Sequence, residues 1–93
     1  ITMTRAVARQ YGGDNVRANV ICPGPIDTPL LDRIREGRGE DLEQEPAAPS
    51  VPLMIERVGR PEEVADVALF LASDDASYIT AAVYTVDGGL SAL

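Results

Sequence analysis

The stretch Cys22-Pro23-Gly24-Pro25-Ile26-Asp27-Thr28 is where residue types and their spacing offer chemistry. A short apolar run, "NVIC", stops at once in Pro-Gly-Pro, and a hydroxyl follows a few residues later. Pro23 has no N–H and so is expected to end a strand ladder. Gly24 would let backbone come close to a flat ligand, because no Cβ stands in the way. Pro25 stiffens the turn, and Ile26 presents a main-chain N–H, a C=O and an apolar side chain. Thr28 adds a hydroxyl and a backbone N–H where the spacing predicts a helix to begin, a natural seat for an anionic group. A carboxamide or a phosphate suits these parts. A rigid proline-rich loop exit with a Thr N-cap suits them too, and spacing alone leaves both readings open.

The residue types that are missing narrow the chemistry. The sequence has no His and no Lys, all eight basic residues are Arg, and Cys22 is the single thiol. No Ser-His-Asp or Cys-His constellation forms within these residues, nor a zinc site of the His/Cys type. Schiff-base chemistry and a Walker-type phosphate lysine are excluded as well. No catalytic residue and no metal ligand is therefore assigned. A net charge of −7 argues against a nucleic-acid partner and against an anionic membrane surface. No apolar run approaches the ~20 residues of a membrane span, and the opening "ITMTRAVARQ" lacks the apolar stretch of a signal peptide. A lone Cys in an apolar run fits a reducing compartment, so a cytoplasmic location is expected. The opening also reads as the middle of a helix with no cap before it. We expect the 93 residues to be a piece of something longer.

The elements that must position the Pro-Gly stretch follow from periodicity. Met3, Val7 and Tyr11 recur at helical spacing, which predicts a helix over 1–11 stopped by Gly12-Gly13. "VRANVIC" (16–22) alternates Val16, Ala18, Val20 and Cys22 onto one face with Ile21 on the other, a strand buried on both faces as in a parallel sheet. A short helix is predicted from Thr28 with Pro29 as its first residue and Leu30, Leu31 and Ile34 on its apolar side. "EGRGEDLEQEPAAPS" (36–50) loses periodicity and holds five of the fifteen acidic residues, which reads as a mobile surface excursion. "RPEEVADVALFLAS" (60–73) is the clearest helix, with Pro61, Glu62 and Glu63 in its first turn and an apolar surface wide enough to be buried on more than one side. "AAVYTVDGG" (81–89) reads as a final strand. Two strands cannot form a sheet that buries both of its faces, so further strands are expected from elsewhere.

Several polar residues carry structural expectations. Asn19 is expected to satisfy a structural hydrogen bond on a buried strand, and Asp87 to cap the turn at Gly88-Gly89. Arg17 pairs with a carboxylate or sits at a solvated strand end. Asp74-Asp75 form a solvated helix end. Cys22 is a small core residue, and Tyr78 a packed aromatic whose hydroxyl reaches solvent.

Three stretches, "MTRAVARQYGGDNVRANVICPGPIDTP", "RVGRPEEVADVALFLASDDASYIT" and "YTVDGG", follow one another as in the C-terminal part of a short-chain dehydrogenase/reductase, which the chain resembles. The resemblance covers nearly everything outside 36–56. It implies an α/β fold: residues 1–93 as the C-terminal part of a single, doubly wound Rossmann-type parallel sheet, incomplete without its N-terminal strands. It implies hydride transfer between NAD or NADP and an alcohol or carbonyl substrate. It places Pro23, Gly24, Pro25 and Ile26 around the nicotinamide, with the Ile26 backbone on the carboxamide and Thr28 on carboxamide or pyrophosphate. Residues 30–56 correspond to a variable substrate lid, in which Leu30, Leu31 and Met54 are candidates for an apolar pocket. The helix at 61–73 and the strand at 82–87 correspond to elements that build a subunit contact, which implies a homo-oligomer, a tetramer or a dimer.

The departures from the family pattern bear on activity. The glycine-rich phosphate loop and the catalytic Tyr-x-x-x-Lys pair are not found in these residues. The resemblance puts the Tyr shortly before Ile1. Ala81 stands where relatives usually have Gly, at a tight turn. The alternatives to a working oxidoreductase segment are a non-catalytic truncated chain and a self-association module.

Overall fold

The computed structural model describes residues 1–44 and 53–92. Helix α1 (Thr2–Tyr11) is followed by strand β1 (Val20–Pro23), helix α2 (Pro29–Gly37), helix α3 (Pro61–Ala72) and strand β2 (Val83–Val86). The two strands pair in parallel, Val20 opposite Val83 through Pro23 opposite Val86. A parallel pair needs a long crossover, and α2 and α3 supply it.

Each helix begins as its sequence dictates. Thr28 adopts an extended conformation before Pro29, and its hydroxyl accepts from the Leu31 N–H at 3.4 Å. At α3, Pro61 takes the first position and the Glu63 carboxylate reaches back to the Arg60 N–H at 2.7 Å, which satisfies one orphan donor of the helix start. The end of α1 departs from the expectation of a Gly-Gly stop. Gly12 keeps right-handed helical angles, a 3-10 turn runs over Gly12–Asp14, and the left-handed residue is Asn15 at φ 61°. Asn is the non-glycine residue best suited to that conformation.

Strand β1 is shorter than 16–22. Ala18 already accepts from the Ala81 N–H at 2.8 Å, but Ala81 has φ 58° and breaks the ladder there, so regular pairing starts at Val20. Asn19 bridges this irregular stretch. Its amide donates to the Ile79 carbonyl at 3.0 Å and accepts from the Ala82 N–H at 3.1 Å, the structural role expected of it. Arg17 does neither of the two things expected. Its guanidinium donates to the Leu71 carbonyl at 2.8 Å, an acceptor that the C-terminus of α3 leaves free, and to the Ser73 carbonyl just beyond the helix at 3.3 Å.

Helix α3 packs on β1, and Leu71 of α3 is buried. Among the described residues only Ala8, Leu53, Leu71 and Ala76 are buried apolar side chains. The apolar side chains of α1 at Met3, Val7 and Tyr11 are exposed, as are Leu69 and Phe70 on the outer side of α3. Cys22 is half-buried, and the whole Tyr78 ring lies in solvent instead of packing. The radius of gyration is 16.3 Å, against about 12 Å for a compact chain of this length. These faces are apolar because they are built to be covered, and nothing among the described residues covers them.

The excursion after α2 is tied down at its near end. Arg35 is buried to 5% exposure and holds the chain that follows it, through Glu40 Oε2 at 3.1 Å, the Asp41 carbonyl at 2.9 Å and the Gln44 carbonyl at 2.8 Å. A buried guanidinium requires such partners, so 38–44 wraps the charge instead of ranging freely. The central part of the 30–56 segment, 45–52, lies outside the described residues. Among the described residues no helix is long and apolar enough to cross a membrane.

Candidate functional site

The site begins at the carboxyl end of β1. Val20 and Gly24 donate to the Ala82 and Val86 carbonyls at 2.9 and 3.0 Å. N–H groups alternate along a strand, so the N–H that Pro23 lacks would face the opposite edge. Pro23 therefore leaves pairing with β2 intact, and the ladder continues to Gly24. The freedom from a side chain at Gly24 serves the protein itself: a Cβ there would lie 2.7 Å from both Cα and Cβ of Asp87. The close approach is between the ends of the two strands.

Asp87 closes the end of β2 as a turn cap. Its carboxylate accepts from the Gly89 N–H at 3.0 Å and the Ser91 N–H at 2.9 Å. Hydrogen bonds from Ser91 and the Gly89 amide hold its carboxyl below the ordinary aspartate value. Residues 53–55 lie along this turn. The Ile55 N–H donates to the Gly88 carbonyl at 3.0 Å, and Met54 covers Gly89, whose φ of 89° and lack of a Cβ leave room for it.

Beyond Gly24 the chain makes one further parallel contact, a bridge between Ile26 and Gly59. The Gly59 N–H donates to the Pro25 carbonyl and the Asp27 N–H donates to the Gly59 carbonyl, both at 2.9 Å. Pro25 and Asp27 thus spend their groups on Gly59, and those of Ile26 turn to the other side. There the Ile26 N–H has no partner among the described residues, and its carbonyl accepts only the Thr28 hydroxyl at 3.3 Å.

That side opens on a groove of about 460 Å³. Pro23, Gly24, Pro25 and Ile26 form one wall, Thr28 stands at the start of α2, and Leu30, Leu31 and Ile34 form the other wall. Pro61 and Val64 of α3 close it. Seven of the eight residues singled out in the sequence meet here. Met54 does not join them, because it is held over Gly89 on the far side of the loop. Periodicity within α2 pointed to Ile34, but no local signal marked Pro61, Val64 or Gly59, which approach from elsewhere in the chain.

None of the residues lining the groove is ionisable. The arrangement can orient a planar, amide-bearing group through the Ile26 main chain and exclude water with flat apolar side chains. Proton transfer would need other residues. No group of three His, Cys, Asp or Glu side chains among the described residues could hold a metal ion. The strongly perturbed carboxyl nearby is Glu63, lowered from its ordinary 4.5 to about 2, first by its hydrogen bonds from Arg57 and then by that from the Arg60 N–H. It faces a second hollow of about 380 Å³ behind the loop, not the groove.

Known proteins supply the remaining observations. The sequence model of a family described as Enoyl-(Acyl carrier protein) reductase matches residues 1–91. The chain is 44% identical over 90 residues to a 3-oxoacyl-(acyl-carrier-protein) reductase of Thermotoga maritima, a match covering 97% of this chain and 34% of that protein. A solved oxidoreductase of the short chain dehydrogenase/reductase family from Burkholderia thailandensis superposes with a TM-score of 0.84 at 38% identity, over 99% of this chain and 35% of that one. A blue fluorescent protein from a metagenomic library, solved in complex with NADPH, superposes with a TM-score of 0.76 at 34% identity, over 97% of this chain and 33% of that one. The chain spans about a third of the length of the relatives it matches. The parallel β1–β2 pair and its helices are thus part of a Rossmann-type fold.

Proposed function

The chain belongs to the short-chain dehydrogenase/reductase family, and on that premise we propose that it is the C-terminal portion of an NAD(P)-dependent oxidoreductase that moves a hydride between nicotinamide and an alcohol or carbonyl substrate. The observation that carries the proposal is the Ile26 main chain: pinned from behind by Gly59, it lines an apolar groove with an N–H that has no partner among the described residues and a weakly engaged carbonyl. A carboxamide, which both donates and accepts, is complementary to that pair. When bound, the nicotinamide supplies or accepts the hydride at its C4.

The residues divide the work by type. Pro23, Gly24, Pro25 and Ile26 fix the ring's edge and plane, and so select the face from which hydride moves. Thr28, with the positive end of α2 behind it, holds carboxamide or pyrophosphate. Its internal bonds of 3.3 and 3.4 Å are long, so a ligand oxygen or amide can compete for the hydroxyl. Leu30 and Leu31 face the substrate side, at the start of the segment read as its lid; its described far end, 53–55, lies along the Asp87 turn instead. Met54 is not assigned to this wall. The proton-exchanging Tyr belongs to the strands and helices that the family places before these residues. The protein is cytoplasmic and pairs with a second copy, as a dimer or tetramer, through the exposed Leu69 and Phe70 of α3 and the free edge of β2.

Fluorescence titration of NADH and NADPH with the parent enzyme tests the reading. Thr28→Val is expected to weaken binding by about tenfold, one hydrogen bond's worth, and Thr28→Ser to restore it. Unchanged affinity in Thr28→Val, or a parent sequence without a Tyr-x-x-x-Lys shortly before Ile1, would refute it.

A further inference from the structure

We propose that Arg57 and Glu63 are positioning residues for the nicotinamide loop, acting through Gly59. The inference rests on the reading of Ile26 as the carboxamide partner. It starts from the way Gly59 is held. Pro25 and Asp27 bond to Gly59 by two main-chain hydrogen bonds, so the position of Ile26 is set by the position of Gly59. Gly59 lies in the turn at 57–60, and that turn is closed by one carboxylate. Glu63 accepts from Arg57 Nη2 at 2.6 Å and Nη1 at 3.0 Å, and from the Arg60 N–H at 2.7 Å. Arg57 Nη1 also reaches the Val58 carbonyl at 3.2 Å. The guanidinium therefore bonds to the residue on one side of Gly59 and to the carboxylate that holds the residue on its other side.

Glu63 belongs to the first turn of α3, which packs on β1. The clasp so links a fixed helix to a turn, and the turn to the loop. The Ile26 side chain completes the contact: its Cδ1 lies over the Gly59 α-carbon, 2.8 Å from where a Cβ would be. Both charged groups sit behind the loop, on the hollow away from the groove. They touch neither cofactor nor substrate in the proposed arrangement. Their contribution is to the population of the competent loop, and a ligand's apparent affinity scales with that population.

The size of the effect is bounded by the pair itself. Arg57 is half-exposed and Glu63 partly so. Partly exposed pairs are weak, and the bidentate geometry puts this one at the upper end of their range, which corresponds to about fivefold in the ratio of competent to other loop states and so to at most about fivefold in apparent affinity.

The test compares ligands that do and do not reach the loop. NADH and NADPH carry the nicotinamide; ADP-ribose and its 2′-phosphate do not. Arg57→Ala leaves the Arg60–Glu63 contact, and hence the start of α3, intact. In the parent enzyme this variant is expected to bind the reduced dinucleotide more weakly, by up to about fivefold, to bind the matching ADP-ribose as the wild type does, and to recover in part as Arg57→Lys. A general loss of structure would weaken both ligands alike, and that result overturns the proposal, as does unchanged affinity for both. A wild type that binds the dinucleotide no more tightly than ADP-ribose would instead refute the nicotinamide reading of Ile26, and the clasp's role with it.

Discussion

Gly24 offers the sharpest separation between two reasons for a glycine. If it exists to let a ligand approach, Gly24→Ala should damage cofactor binding and leave the unliganded protein intact. The geometry predicts the reverse order of effects. An Ala Cβ would stand 2.7 Å from the Asp87 Cα and Cβ, whereas carbon atoms rest at about 3.5–4.0 Å. The obstruction includes backbone, so no side-chain rotation relieves it. The strand ends must separate by roughly 1 Å, which strains the Gly24–Val86 bond and the Asp87 carboxylate's hold on Gly89 and Ser91. Gly24 has no positive φ, so the added cost is steric. Overpacking of this kind costs about 2 kcal/mol, and with an m-value of about 2 kcal/mol/M the urea midpoint of the cofactor-free enzyme falls by about 1 M. Urea denaturation of the cofactor-free protein, followed by circular dichroism, reads this directly. An unchanged midpoint together with lost dinucleotide affinity would show that ligand approach, not Asp87, demands the glycine.

Other predictions follow from single contacts. Ala81 is held at φ 58° by its bond to the Ala18 carbonyl, where a Cβ costs roughly 1–2 kcal/mol. Ala81→Gly removes that strain but adds about 0.4–1 kcal/mol of unfolded-chain entropy. A net stabilisation of about 0.5–1 kcal/mol is therefore expected, visible as a raised thermal midpoint; a lowered midpoint would mean the turn is not strained. Glu63 is depressed from 4.5 to about 2 by Arg57 and the Arg60 N–H. Because its folded value lies below its unfolded one, its stabilisation is complete above pH 4.5 and is lost as pH falls through 2. Asp87, shifted in the same direction, adds a loss of the same sign. Acid titration of Glu63→Gln should show a shallower fall in stability over that window than the wild type, and identical slopes would exclude the Arg57 pairing in solution.

The local features of this protein were legible in its sequence because they depend on neighbours a few residues away. Pro61 and the acidic pair beside it define the start of α3, Thr28 before Pro29 defines the start of α2, and Asp87 before two glycines defines a capped turn. The Pro-Gly loop at the end of a strand was legible for the same reason. Helical spacing in α1 and α3 showed which residues are apolar, but not which would be covered. Met3, Leu69 and Phe70 stay exposed, because covering them takes surfaces that the described residues do not provide. Tertiary structure alone decided the rest. That Gly24 answers to Asp87, that Arg17 caps the far end of α3, and that Ile26 is fixed by Gly59 are contacts between residues distant in sequence. Residue type and spacing carry no record of such meetings, because they arise only when the crossover folds back and lays β2 beside β1. The site is made in that step: the same Pro-Gly-Pro-Ile would be a stiff bend anywhere, and only Gly59 behind it turns the Ile26 amide toward the groove.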